Sequence, residues 1–228
     1  MEARIHDILK ASQHLIRLKG ETIPNLDMEG IYRMRDFVVE KAEDAGLQVI
    51  EMKESTKNPF PYIIITFPEM VEEGKLRTKV ALVGHLDVVG ANYESMFEPK
   101  IEGDFLKGRG STDMKTVDAT YLEWMIARQK KGGKKPPFVL MLSCTEEPGR
   151  NDYKNNTFTA VEFLKREYGA EFELAIVGER TGEMDDKDDA DAVPFDIRDS
   201  NFGLRRIAIS DDYKPQFSLR YSETLKAI

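Results

Sequence analysis

Four short runs in this chain group side chains that bind metals or move protons: Gly84-His85-Leu86-Asp87, Gly108 to Lys115, Thr145-Glu146-Glu147 and Gly178-Glu179. A neutral imidazole is a good zinc ligand. Residues two apart on an extended chain point to the same side, so Asp87 can fix the tautomer or orientation of His85. The plain alternative is a surface His–Asp pair at a strand end. In Gly108-Arg109-Gly110-Ser111-Thr112-Asp113-Met114-Lys115 the glycines allow backbone shapes closed to other residues, and Asp113 stands at an expected helix start. It can cap that helix. It can instead bridge two cations with its two oxygens, as paired metals about 3.5–4 Å apart require. Glu146 and Glu147 are adjacent, and neighbours on an extended chain point in opposite directions. One acid can then bind metal while the other takes a proton from metal-bound water. An exposed acid pair in a loop is the bland alternative. Glu179 offers one more oxygen ligand, and taken alone it says little.

These side chains acquire meaning from the elements that must hold them. Tyr62 to Phe67, a run of β-branched and aromatic residues, and the apolar runs Val80 to Gly84, Phe138 to Cys144 and Leu174 to Val177 read as strands buried on both faces. Thr116 to Lys130 and Thr157 to Tyr168 read as helices between them. Upstream, Ile5, Leu9, Ser12, Leu15 and Ile16 share one helical face, and Ile31, Met34, Val38, Ala42 and Ala45 share another that ends at Gly46. Strands alternating with helices predict a layered α/β fold. Three of the strands stop at a His or a Glu, and Asp113 opens a helix. Ligands of such sheets bind beyond the carboxyl ends of strands, so the four runs are expected to converge at one edge.

Composition narrows the classes of function. Of 228 residues, 41% are hydrophobic, which supports one sizeable core and argues against disorder. The net charge of -8 shows no basic excess of the kind that marks a nucleic-acid binder. No apolar run approaches the roughly 18 residues needed to span a bilayer. With Cys144 alone, no intrachain disulfide can form. The start of the chain lacks a basic-then-apolar signal pattern. The expectation is a cytoplasmic globular protein with no nucleic-acid or membrane partner. Asp185 to Asp191 is an acidic stretch read as a solvated loop, and Leu204 to Ser210 reads as one more strand.

In order and spacing the four runs resemble the M20 family of zinc peptidases and deacylases, of the carboxypeptidase, dipeptidase and succinyl-diaminopimelate desuccinylase type. The likeness extends from the N-terminal helices to about Ser210. Its most specific part is Gly108 to Lys115, against the family's GRG-x-x-DMK signature; Phe97-Glu98-Pro99 and Ile101-Glu102-Gly103 resemble the approach to it. The resemblance implies a three-layer α/β sandwich of the phosphorylase/hydrolase-like, zinc-peptidase type, with a central, mostly parallel mixed sheet flanked by helices. It also implies two zinc ions. His85 and Glu179 would bind one, Glu147 the other, and the Asp113 carboxylate would bridge them, with a cis peptide following it at Asp113–Met114. Asp87 would orient His85. Glu146 would be the general base for a metal-bound hydroxide that cleaves peptide or N-acyl amino-acid amide bonds, with a homodimer possible in the full-length protein.

Three positions depart from the pattern. Thr145 precedes the acid pair where aspartate is frequent, and Arg180 stands where proline is usual. The family's last histidine ligand has no counterpart, since His6 and His14 lie on the first helix. The family's lid or dimerisation domain is likewise expected to be missing from these residues. The expectation is therefore an incomplete catalytic domain over 1–210 followed by a tail over 211–228, with the second zinc site incomplete. A catalytically silent metal-binding or interaction module is the alternative from a different class, and a two-metal phosphoesterase is a third.

Overall fold

Strand residues that alternate in direction let one sheet carry a separate helix layer on each face. The computed structural model describes residues 5–52, 59–147, 157–178 and 207–208. Its helices are α1 (Ile5–Arg17), α2 (Met28–Asp44), α3 (Lys115–Lys131) and α4 (Thr157–Tyr168). The strands of its main sheet are β1 (Gln48–Glu51), β2 (Ile63–Thr66), β3 (Val80–His85), β4 (Phe138–Ser143), β5 (Leu174–Val177) and β6 (Ile207–Ala208). They lie in the order β6-β5-β3-β4-β2-β1. β3 pairs in parallel with both β4 and β5, while the outer pairings are antiparallel. Four of the six strands of this sheet thus run the same way, a mixed and mostly parallel sheet.

On one face, Ile63, Ile65, Leu82, Leu140, Leu142 and Ile176 pack with α1, α2 and α3 through residues such as Leu15, Met34, Val38, Leu122 and Met125. On the other, Ile64, Ala81, Val83, Val139 and Met141 pack with Ala160 and Leu164 of α4. These are the three expected layers. Within α1, which packs chiefly against α3, Leu15 and Ile16 are fully buried, but Ile5 at its first position is 75% exposed, beyond the reach of the core. β1 had no clear signal in the sequence. It is four residues long with polar ends, which an edge strand tolerates because its outer side meets water.

The site end of the sheet depends on two glycines. A Cβ on Gly84 would fall 1.9 Å from Asp118 Oδ1 and 3.0 Å from Met114 Cε. A Cβ on Gly178 would fall 2.3 Å from Val117 Cγ1. Helix α3 can lie directly on the ends of β3 and β5 only because both positions lack a side chain. Gly84→Ala should therefore push α3 off the sheet and lower stability by about 1–3 kcal/mol, the usual cost of overpacking. A urea melt measures this, and an unchanged midpoint would show that the contact yields at no cost.

Candidate metal centre

Because β3 and β4 are parallel and in register, with His85 level with Ser143, the segments leaving both strands emerge at one edge. Leu86 N–H donates to the Ser143 carbonyl at 2.9 Å and holds that registry one residue further. His85 is 2% exposed. Its Nδ1 lies 3.0 Å from the main-chain carbonyl of Asp87 and 3.4 Å from Asp87 Oδ1. Both partners are acceptors, so a proton on Nδ1 is favoured and Nε2 is the ring nitrogen presented to the site. There, Nε2 stands 2.9 Å from Asp113 Oδ1 and 3.9 Å from Glu146 Oε2.

Asp87 does more than face the histidine. Its carboxylate is fully buried. Oδ1 accepts the Glu146 N–H and Oδ2 the Glu147 N–H, each at 3.0 Å, and Oδ2 also accepts the Thr22 hydroxyl at 3.0 Å. The acid pair is therefore not on an extended chain with opposed side chains. It forms a bend and turn whose two amides converge on one carboxylate.

Asp113 is not the N-cap of α3. That position is Met114, which makes no side-chain capping bond, and the Asp113 carboxylate turns to His85 instead. The Asp113–Met114 peptide is cis. The loop before it is tied down by Arg109, whose N–H donates to Met96 and whose Nη2 donates to Gly90. Gly110 has φ +83°, and a Cβ there would lie 2.8 Å from Val88 and 2.9 Å from Lys115. Both the backbone conformation and the space call for glycine.

One nitrogen or oxygen from each of His85, Asp113 and Glu147 falls within 4.8 Å of the others, close enough to share a cation. Burial first, and then the negative charge of Asp113, push the Glu147 carboxyl up to about 7, with His85 opposing. Like charges crowded in a half-buried setting leave the cluster short of positive charge, and an N/O donor set of this kind suits zinc or another divalent ion. Asp113 and Glu146 keep side chains 46% and 56% exposed, so the cluster opens to solvent.

Not every anticipated ligand can be placed. Glu179 lies outside the described residues; Gly178 before it donates its N–H to Val83 at 3.4 Å. The acidic stretch at Asp185 to Asp191 and the tail over 211–228 also lie outside them, as does the strand expected over Leu204 to Ser210 apart from β6. Neither remaining histidine joins a metal cluster among the described residues: His14 packs its ring 4.4 Å from Phe37, and His6 contacts Asp7.

Two contributors had no assigned role in the sequence. Lys115, fully buried, donates from Nζ to the Leu15 carbonyl at 3.0 Å and to the Lys19 carbonyl, which ties the end of α1 to the start of α3. Burial lowers its amine to about 7 against the pull of Asp87 and Asp118. Thr22 sits in a short strand (Glu21–Ile23) that pairs with Val88–Val89, and no local pattern marks it. Cys144 is buried beside the site, and burial pushes its thiol up, which leaves it an apolar filler.

The comparisons agree with this architecture. The chain is similar in fold to human carnosine dipeptidase 1, at TM-score 0.59 and 16% identity over 77% of this chain and 38% of that one. It is similar to the di-peptidase Dug1p of Saccharomyces cerevisiae, at TM-score 0.57 and 16% identity, again over 77% and 38%. A metallo-carboxypeptidase of the M20 family from Sulfolobus solfataricus, Sso-CP2, matches at TM-score 0.54 and 17% identity over the same shares. The chain thus spans well under half the length of these proteins. No curated protein matches it by sequence. The profile of the peptidase family M20/M25/M40 matches residues 81–215, a stretch that begins in β3 and takes in every residue of the cluster, and the chain belongs to that family.

Proposed function

We propose that this chain carries most of the catalytic centre of a zinc-dependent hydrolase of peptide or N-acyl amino-acid amide bonds, over residues 1–210. The convergence of His85, Asp113 and Glu147 carries the reading. His85, Asp113 and Glu147 would hold zinc, with Glu179 as a further ligand of the ion on His85 and Asp113 shared between two ions. When bound, zinc would polarise the scissile carbonyl and make a coordinated water more acidic. Glu146 would take the proton of that water and return it to the leaving amine. Its Oε2 lies 3.9 Å from His85 Nε2, so the carboxylate borders the cluster while remaining accessible to water. Asp87 would hold both the imidazole and the acid pair in place. A small peptide or acyl amino acid is the proposed substrate. The dipeptidases and the carboxypeptidase of similar fold support this class. No described helix is long and apolar enough to cross a membrane.

One observation favours a second reading. Neither His6 nor His14 reaches the cluster, so a second ion would have fewer protein ligands, as in a module that binds one metal without turnover. Titration with Zn²⁺ alongside a dipeptide and acyl-amino-acid screen separates the two. Two ions per chain with chelator-sensitive amide hydrolysis would support the enzyme. One ion without hydrolysis would support the module, and no binding would sink both.

A further inference from the structure

Asp87 has a fully buried carboxylate, and its oxygens receive three hydrogen-bond donors from two distant parts of the chain. Two donors are the amides of the acid pair, Glu146 and Glu147. The third is the hydroxyl of Thr22, 65 residues upstream. We propose that Thr22 is a positioning residue for the metal-holding acids: by fixing Asp87, it sets how the Glu146–Glu147 turn is presented to a cation. This rests on the metal reading given above.

The argument is geometric. Oδ2 of Asp87 accepts from both Thr22 Oγ1 and Glu147 N, and Oδ1 accepts from Glu146 N. Nearby Nδ1 of His85 is satisfied mainly by the Asp87 carbonyl at 3.0 Å, with Oδ1 at the longer 3.4 Å. The carboxylate is therefore oriented by its other three donors more than by the histidine. Of these, only Thr22 lies outside the turn being positioned. It supplies an external reference for the carboxylate plane; without it, carboxylate and turn can shift together. Thr22 is itself anchored. Its strand pairs with Val88–Val89, the Ile23 carbonyl accepts the Gly90 N–H, and the Glu21 carboxylate accepts the Ala91 N–H at 3.0 Å. The segment before α2 thus reaches the metal ligands through a hydroxyl and a carboxylate, an outer layer of the kind that tunes metal affinity.

The test compares Thr22→Val, which keeps the shape, with Thr22→Ser, which keeps the hydroxyl. Zn²⁺ and Co²⁺ dissociation constants and the amide signals of Glu146 and Glu147 in the metal-free protein are the readouts. Thr22→Val should weaken cation binding by about 10-fold or more, the lower end for outer-layer partners. It should also lower the exchange protection of both amides, and Thr22→Ser should restore both. Thermal melts separate a general loss of folding, and Thr22→Ala replaces the valine variant if that one does not fold. Parent-like binding and amide protection in Thr22→Val would overturn the proposal, and so would a serine variant as impaired as the valine one. If the parent binds no cation, the metal reading fails, and unchanged amide protection in the metal-free variants would overturn the Thr22 proposal separately.

Discussion

Replacing Glu146 by alanine is expected to cut turnover of an amide substrate by about 10²–10⁴, the usual contribution of a positioned general base, while cation affinity stays near that of the parent. The two halves of this expectation come from different atoms of one residue. The carboxylate is 56% exposed and borders the cluster, so its loss removes the proton acceptor. The anchor of the turn is the Glu146 main-chain N–H on Asp87 Oδ1, which alanine keeps. Glu147 should therefore remain where it is, with its own amide on Asp87 Oδ2. Steady-state kinetics beside a zinc titration checks both halves. A variant as active as the parent would remove Glu146 from the role of base. A variant that lost zinc as well would make it a ligand instead.

His85→Ala should instead lose the cation itself, with affinity reduced by about 100-fold or more. Partners one layer out are worth about 10–100-fold, and a direct ligand should exceed that. His85 supplies the only nitrogen of the three-residue cluster, from a side chain buried at the end of β3. Its loss also takes away the partner that Asp113 meets at 2.9 Å, so two of the three ligands are affected at once. Competition against a chromophoric chelator measures the effect. Undiminished affinity in His85→Ala would place the metal elsewhere. Together the two variants separate catalysis from metal retention, which neither does alone.

Much of the site was legible locally because each chemical group sits within a few residues of a strong structural signal. Val80 to Gly84 is an unbroken apolar run, so its end at His85 could be located from the sequence, and β3 indeed extends to that histidine. Helix α4 spans Thr157–Tyr168, the residues read as a helix between two strands. The Gly108 to Lys115 run pointed to a special backbone, and Gly110 at φ +83° bears out the need for glycine. Less legible were features that depend on long-range contacts. As an isolated residue Asp113 resembled a helix cap, because an aspartate before a helix usually has no better partner than the helix amides. Here the imidazole of His85 competes and wins, and the cap position passes to Met114.

By itself, then, the sequence determined the layered α/β class, the edge at which the polar runs gather, and the residue types available there. Periodicity and apolar strand runs report local burial, and burial is set largely by neighbours along the chain. Only the tertiary structure decided which acids meet. It turned the carboxylate of Asp87 onto the Glu146–Glu147 turn, brought Thr22 to it from 65 residues away, and made Gly84 the surface on which α3 rests. The physical reason is that hydrogen-bond partners are chosen by distance and direction in space, and a buried carboxylate takes whichever donors the fold brings to it. Nothing in the spacing of Thr22 and Asp87 along the chain carries that information.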